Sequence, residues 1–391
     1  MKSESFGKRI ANCYSVLALI VLNTIVVLIV INLSASGVID FQNYLRKKSE
    51  DGKKRYSFKK YEDSLKGIFP NMEKKDIEGL LDDTRHLSQR FEPYTQFKER
   101  PFVGKSVNVD PRGFRPIKDQ GPWPPDPHFI NIFVFGGSTT FAYGVPDEDT
   151  IPSYLQELLN SKCKGRIRVY NFGRGGYISV QERVLLEKFI LEEIVPDIAV
   201  FIDGLNDLAH EDDNPAHTKE LTKFMDEGEK STIKKCILQM PILKLITNFQ
   251  KDRESSQTND SKRSINNLIR RYKINMEIIE SISNHFKIKP LFVWQPVPVY
   301  KCNHEYNMFA TFDYAGYVPT LSIGYQEMAK VVASNPFGDN FLYLADIQVG
   351  LNKSLYVDAI HYTPYLCRII AQRIADKLEE QKIIKEVEQN P

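Results

Sequence analysis

Short apolar runs alternate with helical patterns along most of this chain, and this alternation constrains the fold more than any other feature. The apolar runs lie at 129–135, 166–171, 197–202, 289–294 and 341–346. Helices are predicted at about 150–161, 179–194, 262–286, 323–334 and 364–381. Strands that alternate with helices form parallel sheets covered on both faces. We therefore predict an α/β protein with three layers, α/β/α, around a central, mainly parallel sheet.

The N-terminal segment predicts a membrane anchor that precedes this sheet. Residues 10–39 contain no charged side chain, and Val16 to Leu33 reads VLALIVLNTIVVLIVINL. A helix needs about 20 mainly apolar residues to cross a bilayer core. We interpret the segment as an uncleaved single-pass transmembrane helix. The alternative is a signal peptide cleaved near Ser34-Ala35-Ser36.

The rest of the chain divides at changes of composition. Residues 1–9 form a short tail, and 10–39 form the anchor. Residues 40–125 are a charged stalk and lead-in segment, with a helix near 74–89 and a Pro-rich boundary at 121–127. The main domain is predicted at 126–391, with a charged insertion at about 208–258.

Charge and cysteine content exclude some classes of function. The 391 residues include 52 basic and 50 acidic side chains, and a net charge of +2 argues against a nucleic-acid partner. The five cysteines form no CxxC pair, which argues against a cysteine zinc site. The loop containing His210, Glu211, Asp212, Asp213 and His217 lacks an H-E-x-x-H pattern. We interpret it as a charged surface loop and expect no metal.

Polar and glycine-rich segments follow the predicted strands. Gly136-Gly137-Ser138 follows the first strand, NFGRGGYIS (171–179) the second, and DGLND (203–207) the third. A fourth segment, YVDAIHYTP (356–364), lies just before the last helix. Ligands of open parallel sheets bind outside the carboxyl ends of the strands. The four segments are therefore expected to meet in one site.

Together these segments supply the groups that acyl transfer needs. Ser138 can act as the nucleophile, His361 as the base that takes its proton, and Asp358 as the carboxylate that orients the imidazole. The N–H groups of Ser138 and Gly176 and the amide of Asn206 can stabilise an oxyanion. Taken singly, each residue has an ordinary alternative, such as a helix cap, a turn residue or a surface histidine.

The order of these segments resembles the SGNH hydrolases, also called the GDSL lipase/esterase superfamily, over about residues 128–381. The resemblance implies a flavodoxin-like three-layer fold and no metal or organic cofactor. It assigns the nucleophile, the two oxyanion donors and the Asp–His pair to Ser138, Gly176, Asn206, Asp358 and His361. Because Gly173 and Gly175 lie beside Gly176, the resemblance does not fix which of these glycines is the oxyanion donor of the second segment. The first motif usually reads Gly-Asp-Ser, whereas Gly137 replaces the carboxylate here.

The resulting expectation is a membrane-anchored serine esterase with an extracytoplasmic catalytic domain. Its substrate would be an O-acyl ester, such as an acetyl ester, of a glycan or a lipid. Three alternatives remain open. In the first, the domain is a catalytically idle binding partner. In the second, it is the O-acyltransferase component of a cell-surface polysaccharide-modifying system, with a membrane-bound acyltransferase as partner. The third is a soluble lipase with a cleaved signal.

Overall fold

In a computed structural model of the chain, the described residues fall into several ranges. These are 2–163, 165–209, 215–218, 221–222, 225, 260–307, 318–334 and 337–384, with side chains described outside 2–10, 42–64, 85 and 260–264. The chain forms two compact units, one of Met1–Glu62 with Lys219–Thr258, the other of Asp63–Thr218 with Asn259–Pro391. The predicted insertion at about 208–258 lies largely outside the described residues.

The N-terminal helix α1 runs from Lys2 to Ile68. Its segment Ala11–Phe41 has a mean hydropathy of 2.9 and is long enough to cross a membrane. Apolar side chains are exposed around this segment, including Leu19, Leu28 and Leu33. The prediction of a long apolar helix is confirmed, and a signal sequence near the N-terminus also passes this test of length and composition.

The second unit contains the sheet and its covering helices. Its strands are β1 Gln89–Glu92, β2 Gln96–Glu99, β3 Phe102–Val103, β4 Asn108–Val109, β5 Ile130–Gly136, β6 Ile167–Gly173, β7 Ile198–Asp203, β8 Lys289–Trp294 and β9 Phe341–Tyr343. Its described helices are α2 Lys74–His86, α3 Ser138–Phe141, α4 Ile151–Asn160, α5 Ser179–Leu191, α6 Leu205–Ala209, α7 Asp260–His285, α8 Val318–Ser334 and α9 Pro364–Glu380.

Strands β5 to β9 form one parallel sheet in the order β6-β5-β7-β8-β9. This confirms the predicted α/β architecture. The strand order reverses beside β5, because β6 and β7 pair with its opposite edges. Such a reversal opens a crevice at the carboxyl ends of the strands, which is the usual position of a ligand.

The two faces of the sheet differ in chemistry because side chains alternate along each strand. One face carries stacked aromatic rings: Phe135 and Phe201 have ring centroids 5.0 Å apart, and Phe201 and Phe292 5.5 Å apart. The other face carries aliphatic side chains such as Ile132, Val134 and Val200 and packs against α4 and α9. The near-continuous apolar sequence of each strand follows from burial on both faces.

Some predicted boundaries shift. The strand β9 ends at Tyr343 rather than at 346, because the chain turns where the Ile347 N–H donates to the carbonyl of Leu344. The helix α8 begins at Val318 rather than at 323, with Pro319 in its first turn, where proline is tolerated. The predicted helix near 74–89 is α2, which ends at His86.

Candidate active site

Ser138 is the first residue of α3 and directly follows the Gly136-Gly137 end of β5. The sharp transition from strand to helix leaves its side chain partly exposed at the carboxyl edge of the sheet. The next residue is fixed by a hydrogen bond, because the Thr139 hydroxyl donates to Gln295 Oε1 at 2.6 Å. The serine is thus held on a rigid turn at the end of the first core strand.

Asp358 and His361 are hydrogen-bonded to each other in the loop that leads into α9. The His361 Nδ1 lies 2.7 Å from Asp358 Oδ2, and the N–H groups of Ile360 and His361 donate to Asp358 Oδ1 at 2.8 and 2.7 Å. Burial acts to raise the pKa of Asp358, but the charge of His361 and these hydrogen bonds outweigh it, so the pKa lies below its usual value.

An ionised Asp358 can only accept, so Nδ1 of His361 carries the proton in this pair. The opposite nitrogen, Nε2, is buried and has no hydrogen-bond partner among the described residues. Pairing of Tyr356 with Tyr362 closes the loop, and the Thr363 hydroxyl caps α9 by accepting from the Leu366 N–H. The imidazole is therefore held in a fixed orientation, with its Nε2 unpaired among the described residues.

Gly173 ends β6, and Gly175 and Gly176 follow it. The N–H groups of these three glycines have different environments. The Gly173 N–H donates to Asn171 Oδ1 at 3.0 Å, and the Gly175 N–H donates to Glu99 Oε1 at 2.7 Å. The N–H of Gly176 meets no acceptor in the described part of the chain. Gly176 has φ +82°, a left-handed conformation that favours glycine. Gly176 thus has the one N–H of the three that is left for a ligand.

Asn206 lies in the short helix α6 that follows β7. Its Nδ2 donates to the carbonyl of Tyr177 at 2.7 Å, which fixes the amide while leaving its second hydrogen. Asp207, the next residue, accepts from the hydroxyl and N–H of Ser179 at 2.6 and 3.2 Å. These bonds tie the third sequence segment to the second.

A cavity of about 580 Å³ brings the predicted residues together. Its lining includes Ser138, Gly176, Asn206, Asp358 and His361. Apolar walls come from Leu87, Leu205, Ala209, Ala216 and Ile360. No lysine or arginine is among the described lining residues. The cavity therefore suits an uncharged, partly apolar group beside the serine.

Three buried acids interact with one another in the core of the same unit. Glu182, Asp203 and Asp207 are each at least 96% buried, being 1%, 3% and 4% exposed. Burial, with the charges of Asp203 and Asp207, raises the pKa of Glu182 well above its usual value. Burial and Asp207 raise the pKa of Asp203 in the same direction. Among the described residues, no three His, Cys, Asp or Glu side chains are arranged to hold a metal ion.

Comparison with known protein families matches residues 134–279 to the GDSL-like Lipase/Acylhydrolase family. The matched range contains Ser138, Gly176 and Asn206, whereas the Asp358–His361 pair follows it. Residues 134–279 are thus similar to a GDSL-like lipase/acylhydrolase domain, and we call the sheet-bearing unit the GDSL-like domain. This family comprises enzymes that act on acyl esters. A search of curated proteins found no significant match.

Solved structures similar to this GDSL-like domain share little sequence with it. The acetyl xylan esterase AlAXEase is 16% identical, over 63% of this chain and 98% of that chain, with a TM-score of 0.35. Esterase EstA from Pseudoalteromonas is 13% identical, over 64% and 98%, with a TM-score of 0.32. A lipolytic protein of the G-D-S-L family from Veillonella parvula is 12% identical, over 63% and 96%, with a TM-score of 0.33.

Three aromatic residues and the charged loop take different positions in the GDSL-like domain. Tyr143 lines the cavity, and its ring lies 5.3 Å from the ring of His361. Tyr177 and Trp294 are fully buried core residues instead. Of the charged loop, His210 to Asp213 lie outside the described residues, and His217 Nε2 lies 3.0 Å from Gln89 Oε1.

The sequence analysis missed residues from the lead-in segment that contact the site. Gln89 lines the cavity, and Glu99 accepts from the Gly175 N–H. Arg115 is fully buried, and its guanidinium donates to the carbonyls of Phe141 and Ala142 at 2.7 and 2.6 Å, at the end of α3. Their charged sequence context is typical of a solvated segment, so it gave no signal of this role.

Proposed function

We propose that the GDSL-like domain is a serine esterase in which Ser138 is the nucleophile, His361 the base and Asp358 its orienting carboxylate. One observation carries the proposal. The imidazole is bonded to Asp358 through Nδ1 and lines the same cavity as Ser138, with its Nε2 unpartnered among the described residues. This is the state that a histidine needs to accept a proton from a serine.

In the proposed reaction, the Ser138 oxygen attacks the ester carbonyl while its proton passes to Nε2 of His361. The Asp358 carboxylate stabilises the imidazolium that forms, which agrees with its lowered pKa. The imidazolium then gives the proton to the departing alkoxide, and an acyl-serine remains. Water attacks the acyl-serine with the same base, and the carboxylic acid leaves.

The oxyanion is proposed to bind to the N–H groups of Ser138 and Gly176 and to the amide of Asn206. The support is geometric. The Gly176 N–H and the second Asn206 hydrogen have no acceptor among the described residues, and both residues line the cavity. Donors fixed before reaction stabilise developing charge without a cost of reorganisation.

The substrate is proposed to be an O-acyl ester, such as an acetyl ester, of a glycan or a lipid. The absence of lysine and arginine from the described cavity lining agrees with a neutral acyl group. The apolar segment Ala11–Phe41 supports a membrane anchor and substrates at a membrane or cell surface. An extracytoplasmic location belongs to the same proposal. Transfer of the acyl group to a glycan hydroxyl, with a membrane-bound acyltransferase as partner, is an alternative to hydrolysis.

Labelling with a fluorophosphonate probe tests the proposed nucleophile in the full-length protein in detergent. We expect the wild type to be labelled, and Ser138→Ala and His361→Ala to lose labelling. Hydrolysis of p-nitrophenyl acetate should fall in parallel. A folded wild type that is neither labelled nor active would favour the idle binding partner instead.

Matched controls are available in the same domain. His128 binds Asp126 through Nδ1 at 2.7 Å, as His361 binds Asp358, but its side chain is 88% exposed. Ser161 is an exposed serine at the end of α4. His128→Ala and Ser161→Ala should label like the wild type, so loss of labelling in them would show a general effect on folding.

A further inference from the structure

The hairpin β1–β2 holds both peptide units that meet at Gly175, in the loop that carries Gly176. Gln89 of β1 and Glu99 of β2 are directly paired across the hairpin. The Gln89 Nε2 donates to the carbonyl of Gly175 at 2.8 Å, and the Gly175 N–H donates to Glu99 Oε1 at 2.7 Å. The two side chains therefore hold Gly175 by its N–H and its carbonyl, and that carbonyl shares a peptide plane with the Gly176 N–H.

Further bonds attach the same loop to the hairpin. The Tyr177 hydroxyl donates to the carbonyl of Phe97 at 2.5 Å, and Gln181 Nε2 donates to the carbonyl of Thr95 at 2.8 Å. The rings of Phe97 and Tyr177 also pack edge to face, with centroids 5.3 Å apart. The loop is thus anchored on both sides of Gly176.

Glu99 also connects the loop to the histidine side of the cavity. The Tyr143 hydroxyl lies 3.3 Å from Glu99 Oε1, and the Tyr143 ring lies against His361. Glu99 is only 3% exposed, and burial raises the pKa of its carboxyl, while the Gly175 N–H and Arg174 act in the opposite direction. Burial of a carboxyl costs free energy unless hydrogen bonds compensate for the lost hydration. For Glu99, the Gly175 N–H supplies such a bond.

We infer that Glu99 and Gln89 are positioning residues for the oxyanion hole, and that they aim the Gly176 N–H by fixing the two peptide units on either side of the Gly175 Cα. This inference rests on the proposed function, because Gly176 matters only if an oxyanion forms. The hairpin lies outside residues 134–279, which match the family.

The test is steady-state hydrolysis of p-nitrophenyl acetate by the full-length protein in detergent, with kcat expressed per fluorophosphonate-labelled site. Glu99→Ala should lower kcat about 10- to 100-fold, and KM should change less than about threefold, since only transition-state stabilisation is lost. Gln89→Ala should lower kcat about three- to tenfold. Glu99→Gln retains an acceptor for the Gly175 N–H and should stay within about threefold of wild type.

Phe91→Ala is the matched control, because Phe91 lies in the same hairpin with 71% of its surface exposed. It should leave kcat per labelled site unchanged. A merely structural role would reduce the number of labelled sites but not kcat per site, so that result in both Glu99→Ala and Gln89→Ala overturns the inference. If Glu99→Ala fails to fold, Gln89→Ala and Glu99→Gln decide alone. An unlabelled wild type would overturn the proposed function as well, which distinguishes the two failures.

Discussion

Gly137 packs directly against the amide of Asn206: a Cβ atom at Gly137 would lie 2.3 Å from Asn206 Nδ2. The same Nδ2 donates to the carbonyl of Tyr177, so the amide has little room to retreat. In the family pattern an aspartate usually precedes the serine, and the sequence alone made its replacement look like a loss. The structure shows that glycine allows Asn206 to approach the serine turn closely.

Gly137→Ala and Gly137→Asp should therefore both lower activity. A side chain at this position would push the Asn206 amide away from the proposed oxyanion, and loss of one such donor costs about 100-fold or more in kcat. The measurement is kcat per labelled site. Gly79→Ala is the control, because a Cβ at Gly79 would meet nothing within 4 Å. Higher activity in Gly137→Asp would mean that the missing carboxylate does limit the site.

Replacement of Asp358 by asparagine should abolish most turnover while preserving the loop. Asparagine can accept from the backbone N–H groups of Ile360 and His361, but it no longer fixes the proton on Nδ1 or stabilises the imidazolium. We expect kcat to fall by about 10³- to 10⁴-fold, with a smaller change in KM. Asp126→Asn, in the exposed Asp126–His128 pair, should leave kcat unchanged. Equal losses in both variants would contradict the assignment.

The buried acids should make the free energy of unfolding fall as pH rises above about 4.5, the usual Glu value. The raised pKa of Glu182 means that the folded state holds its proton more tightly than the unfolded state, so stability is lost as the pH increases. Glu182→Gln keeps the shape and removes this titration. Urea unfolding from about pH 5 to 8 should show a flatter profile for Glu182→Gln than for wild type.

Glu148→Gln is the control for this profile, because Glu148 is an exposed carboxylate in the same unit. Its profile should match that of the wild type. If the Glu182→Gln profile also matched the wild type, the raised pKa would have no consequence for stability.

Arg115 should be essential for the stability of the serine turn. Its guanidinium donates to three carbonyls at the end of α3 and beyond, and its Nε donates to Asp147 at 2.7 Å. Removal of a buried, fully bonded charge typically costs about 3 to 5 kcal/mol. Arg115→Lys should recover little, since an ammonium cannot match the planar set of bonds. Arg112→Lys, in a partly exposed pair with Asp110, should cost about 1 kcal/mol or less.

The apolar segment of α1 should hold the mature protein in the membrane. We expect the full-length chain to stay in the membrane pellet after alkaline carbonate extraction, and a chain of residues 40–391 to be released. The intact mass of the mature full-length protein should include residues 10–39. A mature mass that begins after Ser34-Ala35-Ser36 would show a cleaved signal instead.

Much of the fold could be predicted from the sequence because the sheet is buried on both faces. Runs such as 130–136 and 289–294 are apolar at most positions, which is typical of a strand that is buried on both faces of a sheet. The meeting of Ser138, Gly176, Asn206, Asp358 and His361 at one cavity followed from strand-end positions. Their catalytic roles stay predictions.

The contribution of the lead-in segment could not be predicted in the same way. Glu99 lies in the sequence QFKER, which reads as charged and solvent-exposed, yet it is buried against Gly175. Its burial depends on where the hairpin packs in three dimensions, and local pattern carries no information about that. The domain boundary at 126 likewise stays a prediction, and the structure places 63–125 in the same compact unit as the sheet.

The loop of Asp358 and His361 comes from the last part of the chain, just before α9. During synthesis, the strands β5, β6 and β7 emerge with Ser138, Gly176 and Asn206 long before His361 does. A nascent or truncated chain that ends before α9 would present a serine on its turn without a partner to activate it. Under the proposed function, the site can therefore become competent only after synthesis has passed His361.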